Sequence, residues 1–145
     1  MKITELDTPA LLLDLDIMER NLARAAQYAR ANDLALRPHT KTHKIPELAR
    51  RQLASGAAAL TVAKVGEAEV MIEAEPRELL VAYPVIGRRK LERLMAVGRR
   101  TQLVVALDHL LPARQLSDAA REARLTIGIG ELAGGQQVKI GRAHV

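Results

Sequence analysis

With 145 residues and 48% hydrophobic content, the chain can bury one sizeable core, so one domain is the default count. It has no cysteine, which excludes disulfide frameworks and thiolate metal sites, and no apolar run near the ~18 residues of a membrane span. The net charge of +5 raises nucleic acid as a partner. However, the arginines are scattered over helical faces, and two tyrosines are the only aromatics, so stacking platforms are absent. No signal-like run opens the chain, and a soluble cytoplasmic protein with neither nucleic-acid nor membrane partner is expected.

Pro9 to Leu15 is a short apolar run that reads as a strand. Asp16 then reads as an N-cap with Glu19 as its capping-box partner, opening a helix to about Asn32 with Ile17, Leu22, Ala25, Ala26 and Ala29 at helical spacing. A strand from Leu34 should lose regular pairing near Arg37, because Pro38 cannot donate to a ladder. Ile45-Pro46 starts a helix to about Gly56. The alternation continues with strand Ala59–Ala63, helix Val65–Glu75, strand Glu78–Tyr83 and helix Arg88–Gly98. Strand Thr101–Leu107, helix Leu110–Arg124 and strand Leu125–Ile129 complete it.

Apolar strands alternating with helices define an α/β protein with a parallel sheet. Periodicity leaves open a doubly wound sheet or part of a (β/α)8 barrel, whose complete form needs about 250 residues. Neither a G-x-G-x-x-G nor a G-x-x-x-x-G-K-[ST] phosphate loop is present, which tilts the reading toward the barrel.

In both architectures ligands bind beyond the C-terminal strand ends, and the loop after the Leu34 strand holds Arg37, His39, Lys41, His43 and Lys44. A lysine amine forms a Schiff base with a carbonyl if its pKa is depressed, and Arg37 and Lys44 are the cations close enough in sequence to do so. A solvated loop lysine is the bland alternative. His39 and His43 have no obvious third ligand, so no metal site is assigned to them. Tyr83 and Asp108-His109 end two further strands at the same mouth. Tyr83 could contact a ligand or cap the core, and Asp108 reads as an N-cap.

Three stretches carry a resemblance: Asp7-Thr-Pro-Ala-Leu-Leu-Leu-Asp-Leu-Asp16, Leu36-Arg-Pro-His-Thr-Lys-Thr-His-Lys44 and Val65-Gly-Glu-Ala-Glu69. They resemble the D-threonine aldolase and D-serine dehydratase group of the alanine racemase-like, fold-type III pyridoxal-phosphate enzymes. The resemblance implies an N-terminal (β/α)8 barrel followed by a mostly β domain, into which the first strand folds back. It also implies pyridoxal 5'-phosphate (PLP) carried as an aldimine on Lys41, with His39, Tyr83 and Arg37 as expected cofactor contacts. A divalent metal, zinc or manganese, is expected only in the full-length protein. The implied reaction is that of a lyase on small D-β-hydroxy amino acids, with a homodimer as the expected assembly. An amino-acid racemase and a non-catalytic PLP carrier are the alternatives.

The likeness ends after Ile129, where the chain turns to Gly130-Glu-Leu-Ala-Gly-Gly-Gln-Gln-Val-Lys139. Residues 140–145 read as the translated start of a common sequencing-library adapter. The expected organisation is therefore a partial barrel over 1–129 and a divergent, non-native tail over 130–145. By itself such a piece is expected to be inactive and poorly soluble, because it leaves strand edges and apolar core uncovered.

Overall fold

The computed structural model describes residues 2–131 and 138–140. The helices are α1 (Leu15–Ala31), α2 (Pro46–Ala54), α3 (Val65–Met71), α4 (Arg88–Gly98) and α5 (Leu110–Ala123). The strands are β1 (Leu60–Val62), β2 (Glu78–Val81), β3 (Gln102–Leu107), β4 (Ile127–Glu131) and β5 (Val138–Ile140). β1 to β4 lie side by side in sequence order and pair in parallel, and β5 adds to β4 antiparallel.

This order decides between the two architectures. Crossovers between parallel strands are right-handed, so a sheet that never reverses its direction of growth carries every crossover helix on one face. A doubly wound sheet needs a reversal, and β1 to β4 have none. Side-chain packing agrees. Leu60, Val62, Leu79, Val81, Leu103, Val105 and Ile127 share one core with Ala49 of α2, Ala68 of α3, Leu91 and Leu94 of α4 and Leu116 of α5. The strand residues between them form a row on the other face, where Thr61, Leu80, Val104 and Gly128 stand level across the sheet.

Expected and observed elements agree best where a helix covers the sheet: α4 has the boundaries read from the sequence. The N-terminal expectations need correction. Pro9 to Asp14 form no strand, and Leu11 is 99% exposed. A strand requires a partner, and no described strand lies beside this run, so its apolar pattern is not enough. The cap of α1 is Asp14, which accepts the Ile17 N–H at 2.9 Å, and Asp16 lies inside the helix. Glu19 reaches away to Arg51 of α2 at 2.5 Å instead of closing a capping box.

The stretch from Leu34 is held at the sheet edge without becoming a regular strand. Leu36 O accepts the Ala58 N–H at 2.8 Å, Pro38 O accepts the Thr61 N–H at 2.9 Å, and His39 bridges Thr61. The pairing slips by one residue between these two bonds, and Pro38 has no N–H with which to continue the ladder. Of the divergent tail, 132–137 and 141–145 lie outside the described residues, so the adapter-like expectation falls almost wholly there.

Leu94 tests the one-sided packing, since it is fully buried (0% exposed) between α4 and the strands. Leu94→Ala should cost about 2–5 kcal/mol through lost burial and the cavity left behind, read from equilibrium denaturant unfolding.

Candidate active site

Because the strands are parallel, the loops after β1, β2 and β3 and after the Leu34 stretch all open at one end of the sheet. Lys41, Lys44, Lys64, Tyr83 and Asp108 all lie at that end. Thr40–Thr42 form a single 3-10 turn after the sheet edge. Thr40 points inward, 1% exposed, and its hydroxyl donates to Thr61 O of β1 at 3.1 Å. The Lys44 N–H closes the turn on Thr40 O at 2.8 Å. Lys41 stands exposed between these anchors, and among the described residues its amine makes no hydrogen bond or ion pair.

The two cations expected to crowd Lys41 are each taken by a carboxylate. Arg37 reaches across β1 to Glu78, the first residue of β2, and so sits at the sheet's N-terminal end, away from Lys41. Lys44 Nζ lies 3.5 Å from Glu67 Oε1. The expected cationic cluster is thus split, and Lys41 alone of the three keeps an unpaired charge among the described residues. Sequence spacing could not show this, because both carboxylates come from later βα units.

His39 heads the row that continues through Thr61, Leu80 and Val104, on the face turned away from the helices. Its Nδ1 accepts the Lys41 N–H at 3.2 Å, which leaves the ring proton of the neutral form on Nε2. Burial holds its pKa below the ordinary 6.5, the Lys41 charge lowers it further, and Glu67 opposes them. His43 uses its Nδ1 in the same way, for the Ile45 N–H at 3.0 Å, and its Nε2 is buried with no partner among the described residues. His109, not Asp108, caps α5 by accepting the Leu111 N–H at 3.1 Å. The Asp108 expectation is corrected: a ring nitrogen one residue later reaches the exposed amide of the first turn, and Asp108 remains exposed.

Tyr83 is exposed just beyond β2, at the Lys41 end, and its hydroxyl has no hydrogen bond among the described residues. Two grooves lie elsewhere, one between α4 and α5 and one between α1 and the 34–37 stretch. Neither is lined by Lys41, His39 or Tyr83, which stand at the rim formed by the C-terminal strand ends. Sequence reasoning passed over two residues of this rim, Thr40 and Glu67. In sequence Thr40 is a loop residue beside Lys41, and Glu67 is one of the acidic residues of the Val65–Glu69 stretch, with nothing local to mark either.

The arrangement sets the Lys41 amine on an anchored backbone, beside an imidazole biased to its neutral form and an unengaged phenol. That donor set suits the capture of a carbonyl compound.

The chain matches the family described as alanine racemase, N-terminal domain, over residues 13–131 and belongs to it. Its fold is the corresponding part of that family's (β/α)8 barrel. Among particular relatives it is 37% identical over 127 residues to a D-threonine aldolase of Arthrobacter sp, covering 88% of this chain and 34% of that protein. It is 37% identical over 117 residues to a D-threo-3-hydroxyaspartate dehydratase of Delftia sp. (strain HT23), covering 81% and 31% respectively. The crystal structure of D-threonine aldolase from Filomicrobium marinum superposes with a TM-score of 0.86 at 43% identity, over 89% of this chain and 35% of that one. The chain therefore spans about a third of the length of the relatives it matches.

The electrostatics of His39 can be checked directly. A histidine held below 6.5 takes up its proton less readily folded than unfolded. Its contribution to stability is present above 6.5 and is lost as pH falls through the lower folded value. Ring-resonance titration by NMR should place the His39 midpoint below 6.5, and Lys41→Met should move it upward by removing the neighbouring charge.

Proposed function

We propose that the whole protein is a PLP-dependent lyase acting on small D-β-hydroxy amino acids, with Lys41 as the lysine that holds the cofactor. The observation that carries this reading is Lys41 itself: exposed at the ligand end of the sheet, unpaired among the described residues, and fixed by anchors on either side. The named activities of the relatives, aldol cleavage and dehydration, support a lyase over a racemase or a carrier protein.

Bound at this rim, PLP would supply an electron sink for bond cleavage at the substrate. The chain's own residues have narrower tasks. The Lys41 amine is the group able to take up a proton at the rim and return it. His39, with Nδ1 committed to the Lys41 N–H, offers an Nε2–H donor to whatever occupies the row above Thr61. Tyr83 presents a phenol at the same end and can stack on a ring or donate to it. Arg37 is occupied by Glu78 at the other end, so we assign it to holding the edge stretch across β1 and not to the ligand.

Among the described residues no group of three or more histidine, cysteine, aspartate or glutamate side chains is placed to hold a metal ion. The reading puts the zinc or manganese ion that would engage the substrate's β-hydroxyl on residues outside this chain. No described helix is long and apolar enough to cross a membrane. The proposal includes a cytoplasmic setting and a homodimeric whole protein.

Borohydride reduction of the PLP-loaded whole protein, followed by peptide mass analysis, tests the assignment. The pyridoxyl label should sit on the peptide containing Lys41, and Lys41→Ala should abolish it. A label found on Lys44 or Lys64, or retained in the variant, would overturn it.

A further inference from the structure

The Val65-Gly-Glu-Ala-Glu69 stretch has no part in the function just proposed. Glu69 has a plain structural task, pairing through both oxygens with Arg93 and so joining α3 to α4. Glu67 is different. It is 8% exposed, and the buried polar or charged residues among those described are Thr40, Thr61 and Glu67. All three converge on the loop that presents Lys41. Thr40 bonds Thr61, Thr61 bridges His39, and Glu67 contacts Lys44.

We propose that Glu67 is the positioning residue for Lys41: one carboxylate oxygen holds the end of β1 and the other holds the loop's last residue, Lys44. This deepens the functional reading above and rests on it for the identity of the ligand.

The two oxygens have separate partners. Oε2 accepts the Ala63 N–H at 2.8 Å, immediately after β1, and Oε1 faces Lys44 Nζ at 3.5 Å. Lys44 has φ +53°, a left-handed conformation uncommon for a side-chain-bearing residue. Two contacts accompany it here, the N–H bond to Thr40 O and the ion pair with Glu67. The loop is thereby closed on itself and tied to α3 at one residue. Thr40 ties its other side to β1. Lys41 lies between the ties, which anchor its backbone and leave its side chain exposed.

The chemistry separates the two roles. A glutamine at 67 can still accept the Ala63 N–H but offers no charge to Lys44. A methionine at 44 keeps the length of the side chain without its cation. Because Lys44 is exposed, its replacement leaves the core intact.

The test compares Glu67→Gln, Lys44→Met, the double variant and Lys44→Arg in the whole protein. Two readouts are taken: amide hydrogen exchange at Lys41 and Lys44 without cofactor, and retention of PLP followed by absorbance. Each of the first two variants should speed exchange at both amides and weaken retention about tenfold, and the double variant should be no worse than the poorer single, as expected for two partners in one contact. Lys44→Arg, which keeps the cation, should stay close to wild type. Unchanged exchange and retention in both single variants would overturn the proposal, as would effects that simply multiply in the double variant. A wild-type protein that takes up no PLP on Lys41 would instead defeat the functional reading, and the exchange readout would still decide the role of Glu67.

Discussion

Pro38 imposes the constraint on which the site depends. A proline at the sheet edge removes one donor a ladder would use, so at that point the Leu34 stretch is fastened to β1 through carbonyls and the side chains that follow. The structure uses both. Leu36 and Pro38 accept from Ala58 and Thr61, and Thr40 adds the hydroxyl bond that the missing ladder would otherwise have supplied. Freed from strand geometry, the chain turns at once into the Thr40–Thr42 helical turn, which projects Lys41 from the end of the sheet. A regular strand would have carried alternate residues to the helix-facing side and left no such turn.

Electrostatic sorting accompanies the fastening. Arg37 and Lys44 flank Lys41 in sequence, yet each is matched by a carboxylate from a different βα unit, Glu78 from the start of β2 and Glu67 from the first turn of α3. Long-range partners thus offset charge that local sequence leaves unmatched. What remains beside His39 is the Lys41 amine, next to an imidazole that burial and charge bias toward its neutral form.

The sheet and its helices were legible because burial on one face leaves a periodic signature that neighbours reinforce. Leu91, Leu94 and Met95 mark the inner face of α4, and α4 matched its expected boundaries. Local choices among capping groups were less legible. Asp14 over Asp16 and His109 over Asp108 are decided by which side chain reaches an exposed amide, a matter of backbone path and not of residue type. The apolar Pro9–Leu15 run misled for a related reason, since a strand is defined by a neighbour that the run itself does not encode. At the site, Lys41 stood out through its chemistry. Glu67 did not, because a glutamate in the first turn of a helix ordinarily reads as a solvated charge.

The histidines have one further consequence. His39, His43 and His109 each use Nδ1 to receive the amide two residues ahead, so each ring substitutes for a carbonyl in shaping its own turn. Adding a proton at that nitrogen reverses the polarity of the contact, setting N–H against N–H. At His39 the displaced amide would be that of Lys41 itself. Acid would thus remove the cap of that turn as well as change the charge beside Lys41, while the Lys44 bond to Thr40 and the Thr40 bond to Thr61 do not involve the ring.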